Sequence, residues 1–323
     1  MKILLSCNHE YPSYRFHGSG TKTTTYPSGS SHHQHDLLAR GLAEKGHEVH
    51  YHINHSSHTI SDKGVHLVKE LVDDVDIVHL NARVNEEFHT HYKARNIPVI
   101  ATNHLYVANE QPPFKWVHVS KTMADLYDEK HFVWCGLDPN HYIYSEKKDD
   151  YYLFIANIGK HLEKGLDIAL KTTKALNKKL VVAGSSQNPS DIAMVQNLCN
   201  EFNAIYVGDT RGIEKAKILT NAKALISPSK LPETFGITLI EALFSGTPVI
   251  CSNNGAYGEI MTKDVGFVCK TESDYANAFK NIDGIRPSTC RSYALNNFHY
   301  LKTTEKYIEI YNEILMPKAL INL

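Results

Sequence analysis

Short β-rich runs alternate with helical stretches along nearly the whole chain, and that alternation leaves few folds open. Residues 222–229 (AKALISPS) are one such run, stopped by Pro228 and Ser229. An apolar helix follows Gly236, Gly246 ends it, and Pro248-Val249-Ile250 begins the next strand. A strand, loop, helix, strand unit of this kind closes as parallel strands joined by a right-handed crossover. Open α/β sheets bind ligands in the loops at the carboxyl ends of their parallel strands. The loop at 228–236 is therefore the first place to look for chemistry. It opens a stretch with two carboxylates, Glu233 and Glu241, on either side of a Phe235-Gly236 turn.

The same logic runs in order through the chain. Residues 2–7, 48–53, 64–69, 76–80, 98–102, 116–120 and 132–135 read as strands, with helices at 31–44, 86–94 and 121–127. The charged segment 145–150 (SEKKDD) reads as a linker. A second series follows, with strands at 151–156, 180–183, 204–207, 222–229, 248–250 and 266–268. Its helices are expected at 166–176, 190–202, 213–220, 237–245 and 273–281, and a last helix at 303–315. At 323 residues the chain exceeds one comfortable core, so two Rossmann-like domains are expected, at 1–145 and 151–302. The irregular segment 8–28, with Arg15, Lys22, Tyr11, Tyr14 and Tyr26, reads as a functional loop and suggests an acceptor-gating lid.

Charge narrows the partners. With 34 basic and 35 acidic residues the formal net charge is -1, which offers no footprint for nucleic acid, and any membrane contact is expected to be peripheral. No apolar run reaches membrane-spanning length, and residues 1–5 are too short for a signal peptide. Six scattered cysteines without a C-x-x-C pair fit a reducing, cytoplasmic setting. Twenty histidines raise the question of a metal; His32 and His35 have a helical spacing, but no Cys or acidic set accompanies them. Asp74-Val75-Asp76 reads as a turn before a strand.

Gly18-Ser19-Gly20 is followed by Thr-rich coil, where a dinucleotide fingerprint would open a helix, and there is no phosphate loop of the G-x-x-x-x-G-K-[ST] type. The motifs instead resemble, across nearly the whole chain, those of retaining GT-B glycosyltransferases of the family 4 type. Residues 29–49 look like that family's Gly-Gly loop, first helix and G-H-E-V strand entry, with Ser30 at the second Gly. Asp76-Ile77-Val78-His79 and Thr102-Asn103-His104 are similar to its D-[IV]-V-H and T-x-H segments. Gly136-Leu137-Asp138 resembles its G-[VI]-D, Lys164-Gly165-Leu166-Asp167 its K-G-x-D, and Glu233 with Glu241 its E-x7-E, the most specific of these.

That resemblance implies α/β domains of GT-B architecture facing across a cleft, with the last helix, at about 303–323, returning to the N-terminal domain. It implies a UDP- or GDP-sugar donor, a glycan or other hydroxyl acceptor, and no cofactor or metal. Breaking the anomeric C–O bond builds positive charge on the sugar and negative charge on the diphosphate, so fixed donors must face the phosphates. The resemblance puts the backbone of Phe235, Gly236, Ile237, Thr238 and Leu239, at a helix start, in that role. Lys164 is expected on the phosphates too. Asn157 stands where the family has an Arg, and Lys160 is the cation that could compensate. Glu241 would accept both ribose hydroxyls, Glu233 would sit under the sugar, and His104 would reach the sugar and diphosphate. Gly29 and Ser30 would bring backbone to the phosphates or acceptor. A nucleotide-sugar epimerase of the same architecture and a non-catalytic two-domain sugar-binding protein stand as alternatives.

Overall fold

The computed structural model describes residues 1–10, 31–55, 63–81, 86–106 and 115–316. In chain order its first elements are β1 (Lys2–Glu10), α1 (Ser31–Glu44), β2 (Glu48–His55), β3 (Val65–Val68), β4 (Ile77–Asn81), α2 (Glu86–Lys93), β5 (Val99–Asn103), β6 (Lys115–His118) and α3 (Lys121–Leu126). There follow β7 (Tyr152–Ile155), α4 (Leu166–Ala175), β8 (Leu180–Ala183), α5 (Pro189–Phe202), β9 (Ile205–Gly208), α6 (Gly212–Asn221), β10 (Ala224–Ser227) and α7 (Ile237–Phe244). The remaining elements are β11 (Val249–Ser252), α8 (Tyr257–Ile260), β12 (Gly266–Cys269), α9 (Glu272–Asn281), α10 (Pro287–Phe298) and α11 (Tyr300–Leu315). The chain divides into two units. One holds the described residues up to Asp138 together with those from Phe298 on, and the other is Pro139–Asn297.

Each unit is built on one six-stranded sheet, ordered β3-β2-β1-β4-β5-β6 in the first and β12-β11-β10-β7-β8-β9 in the second. Every strand pair is parallel. Parallel strands are covered on both faces, which is why they read as continuous apolar runs. In β1, Ile3 and Leu5 pack with Leu42 of α1 and with Tyr307 and Tyr311 of α11, while Leu4 turns to the other face with Val78 and Tyr92. A fully buried Leu or Ile contributes about 1.5–3 kcal/mol. Both sheets reverse direction of winding beside their first strand, so in the second unit the switch point lies between β7 and β10.

Local chemistry sets the element ends. Ser120 caps α3, Asn188 followed by Pro189 starts α5, and Thr271 with Asp274 forms a capping box on α9. No helix among the described residues is long and apolar enough to cross a membrane.

Several sequence boundaries shift for identifiable reasons. β1 continues past Cys7 because β2 runs on beside it and pairs Glu10 with His55. The strand expected at 132–135 is only an isolated bridge from Phe132 to His118. Beyond it, the Trp134 carbonyl accepts a hydrogen bond from Thr303 Oγ1 at 2.9 Å, and the chain turns toward α11. The segment 145–150 is no free linker. It lies in the second unit, and Lys148 Nζ donates to the Thr220 carbonyl at 2.7 Å, the Ser245 carbonyl at 3.1 Å and Thr247 Oγ1 at 2.9 Å. The helix α10 was not expected, since its buried Cys290, Ala294 and Phe298 are sparse among polar residues. Tyr11 to Ser28, the greater part of the suggested lid, lie outside the described residues.

Candidate active site

The carboxyl ends of β7 and β10 are neighbours, and each feeds a loop of the second unit. After β7 the chain makes a single 3-10 turn, Ile158–Lys160, pinned by the fully buried Ile158. Asn157 caps that turn, its Oδ1 accepting from the Gly159 N–H at 2.9 Å. The residue standing at the expected Arg position thus has its side-chain oxygen committed to its own loop. Lys160 is exposed on the same turn.

The loop then returns under β10. Gly165 adopts φ +80° as it enters α4, against the Pro228 carbonyl. A left-handed backbone of this kind is cheap only for glycine. This places Lys164 Nζ 2.7 Å from Glu233 Oε1, in an ion pair that is partly shielded from solvent.

Glu233 is held from a third direction by the loop after β11. It forms an isolated parallel bridge with Gly255, and the Ala256 N–H donates to the Glu233 carbonyl at 2.8 Å. Asn254 Nδ2 and Ser252 Oγ donate to the Ser229 carbonyl at 2.6 and 2.7 Å, anchoring the start of the same loop. Gly236 then opens α7 at φ +120°, with the Tyr257 ring against its Cα. Burial first, and the Glu233 charge second, hold the Tyr257 phenol well above its usual pKa. Phe235 and Leu239 are buried, whereas Gly236, Ile237 and Thr238 are half-buried at the helix start.

Glu241, one and a half turns along α7, has a side chain only 1% exposed. Lys215 of α6 donates to both of its oxygens, at 2.9 and 2.8 Å, and Tyr142 Oη donates to Oε1 at 3.3 Å. Neither Lys215 nor Tyr142 stands out in the sequence. A lysine in the first turn of a helix reads as solvated, and only the packing of α6 on α7 shows otherwise. Asn254-Gly255 did carry a turn signal, but without a motif to attach it to.

His104 belongs to the first unit. Half-buried just past β5, it is pushed down to about 4 by burial and by His32, which keeps its imidazole neutral near pH 7. It lines a small cavity of about 20 Å³ with Gln34, His35, Thr102 and Tyr307, room for about one water. Beneath it, His79 bonds Thr102 Oγ1 at 2.7 Å and Tyr311 Oη at 2.6 Å, and Thr102 Oγ1 meets Tyr307 Oη at 2.7 Å. Gly29 and Ser30 lie outside the described residues. Among the described residues no three His, Cys, Asp or Glu side chains are gathered as a metal ion requires.

In the second unit, then, two partly or fully buried carboxylates each meet a lysine beside a helix N-terminus. Such a set can accept hydroxyls and neutralise a polyanion at one place.

Residues 143–284 match the family described as glycosyl transferases group 1. The O-antigen chain mannosyltransferase RfbU of Salmonella typhimurium is 25% identical over 185 residues, which is 56% of this chain and 51% of that protein, so this chain matches about half of that relative's length. Among solved structures, AviGT4, a glycosyltransferase involved in avilamycin A biosynthesis, superposes with a TM-score of 0.74 at 21% identity, covering 97% of this chain and 98% of AviGT4. Alr3699/HepE of Anabaena, in complex with UDP, superposes at 0.70 with 11% identity, over 97% and 100% of the two chains.

Proposed function

For a chain that carries a glycosyl transferases group 1 domain over residues 143–284 on a GT-B fold, we propose the transfer of a sugar from a nucleoside-diphosphate sugar to a hydroxyl of a glycan or similar acceptor, with retention at the anomeric carbon and without a metal. The observation that carries this reading is the Lys164–Glu233 pair set beside the N-terminus of α7 at the sheet's switch point.

Lys164 is paired with Glu233. A bound diphosphate competes for that ammonium, and the α7 backbone at Gly236, Ile237 and Thr238 adds N–H groups and the helix dipole. Charged hydrogen bonds of this kind are worth about 1.5–3 kcal/mol each, and they strengthen as the leaving phosphate gains charge. Glu233, released from Lys164, takes the hydroxyls of the sugar and tolerates positive charge at the anomeric carbon. The acceptor oxygen bonds to that carbon as the carbon–phosphate oxygen bond breaks, and the acceptor proton passes to the departing phosphate oxygen. His104, neutral near pH 7, serves the sugar and diphosphate as a hydrogen-bonding group. Asn157 adds no charge, so Lys164, α7 and the exposed Lys160 divide the phosphate between them. UDP and GDP sugars are the donors of choice. Six buried cysteines, none in a disulfide, fit a cytoplasmic enzyme.

The test is release of nucleoside diphosphate from UDP-, GDP- and ADP-sugars, with and without glycan acceptors, in EDTA, with NMR of the anomeric proton in the product. Acceptor-dependent release with retained configuration supports the reading. Conversion of donor to an epimer, or binding without turnover of any donor, overturns it.

A further inference from the structure

Glu241 is the residue from which ribose recognition is expected, yet its side chain is 1% exposed, and Lys215, which is paired with it, is 17% exposed. An ammonium carries three N–H donors and no acceptor, and a carboxylate about four acceptor sites. Lys215 spends one N–H on each Glu241 oxygen, and Tyr142 takes a further site on Oε1. Tyr142 is itself fixed by stacking on Phe244 of α7, with ring centroids 5.6 Å apart and planes 20° from parallel. Among the described residues, this leaves one N–H on Lys215 beside one acceptor site on Glu241 Oε2.

A sugar hydroxyl needs one of each. A carboxylate alone would take the hydroxyl proton and leave the hydroxyl oxygen unmatched in a buried place, which is costly. Resting on the donor reading above, we propose that Lys215 is a nucleotide-binding residue that acts with Glu241 as one donor–acceptor couple for a ribose hydroxyl. Glu241 then holds one hydroxyl rather than two, and Lys215 supplies the other half of that contact. The couple also sets a countercharge against both oxygens of a deeply enclosed carboxylate, which offsets the cost of taking it out of water.

The full chain is titrated calorimetrically with UDP, GDP and ADP and with their 2′-deoxy and 3′-deoxy forms. The unsubstituted protein is expected to prefer one ribonucleotide over one of its deoxy forms by roughly tenfold or more. In Lys215→Met the ribonucleotide affinity falls by roughly 10- to 100-fold, and the ratio of ribo to deoxy affinity drops toward one. Circular dichroism checks that the variant is folded. If it is not, the side-chain ¹⁵N signal of Lys215 in the unsubstituted protein decides, by moving with the ribonucleotide and not with the deoxy form. A ratio unchanged in Lys215→Met, or a Lys215 signal indifferent to the hydroxyl, overturns the inference while leaving the proposed function standing. Failure of every nucleotide to bind the unsubstituted protein overturns both.

Discussion

Gly165 lies under Pro228, so close that a Cβ built on Gly165 would fall 2.0 Å from the Pro228 carbonyl oxygen. The loop after β7 and the loop after β10 touch backbone to backbone at this point, and the contact sets the reach of the neighbouring Lys164 toward Glu233. Gly165→Ala is expected to cost about 1–3 kcal/mol from the backbone conformation alone, before the clash is counted. Chemical unfolding should register that loss together with weaker nucleotide binding. Full stability in the variant would mean that the two loops can separate freely.

Lys164 and Glu233 form a pair that is 27% and 14% exposed, so solvent screens part of their attraction. With no nucleotide added, a double-mutant cycle with Lys164→Met and Glu233→Gln should give a coupling of about 0.5–1 kcal/mol. Donor binding should suffer far more from Lys164→Met, by roughly 10- to 100-fold in Kd. Glu233→Ala is expected mainly to lower kcat. A Kd unchanged in Lys164→Met would assign the lysine to a structural ion pair alone.

Gly236 stands at φ +120° with its Cα against Tyr257, and an added Cβ would meet Tyr257 Cε1 at 2.6 Å. Gly236→Ala should therefore displace the first turn of α7 and abolish measurable diphosphate binding, while the far-UV spectrum of the protein stays nearly the same. Replacing Tyr257 by Leu in that background relieves the contact but not the dihedral, so binding should recover only in part. Full recovery would show that the ring, rather than the backbone, governs the turn.

His79 is fully buried between Tyr311 and Thr102, and burial, with a smaller effect of His104, pushes it down to about 3. An unfolded histidine titrates near 6.5, so between about pH 6.5 and 3 the unfolded chain binds a proton that the folded one refuses. Stability is complete above that window and is lost as pH falls through it. From pH 7 to 5 the loss should be about 2 kcal/mol for His79. His104 and His118, both lowered to about 4, add to the slope. Urea unfolding at pH 7, 6 and 5 measures it, and His79→Asn should flatten the curve by its share even though the variant is less stable throughout.

Much of the fold is legible because strands buried on both faces are short apolar runs closed by a turn residue, as at 180–183 before Gly184. Elements held by contacts from elsewhere are not. Residues 132–135 have the composition of a strand, but α11 engages their backbone, and Lys148 looks like a linker residue until the carbonyls at the ends of α6 and α7 gather around it. In the site, the two carboxylates and Gly236 are visible as a spaced motif. Asn157 shows as a missing cation, and its work as a cap becomes apparent only in the turn it closes.

By itself the sequence determined which groups are available and what each can do locally. It carries the alternation that requires parallel sheets, the glycines that permit left-handed turns, and the charge types at 164, 233 and 241. Which polar groups meet was decided by the tertiary structure. Lys164 and Glu233 are 69 positions apart, Lys215 and Glu241 are 26 apart, and His79 and Tyr311 are 232 apart. The reason is topological. A crossover lays β10 beside β7 and α6 beside α7, and an ion pair depends on distance through space, to which separation along the chain is no guide.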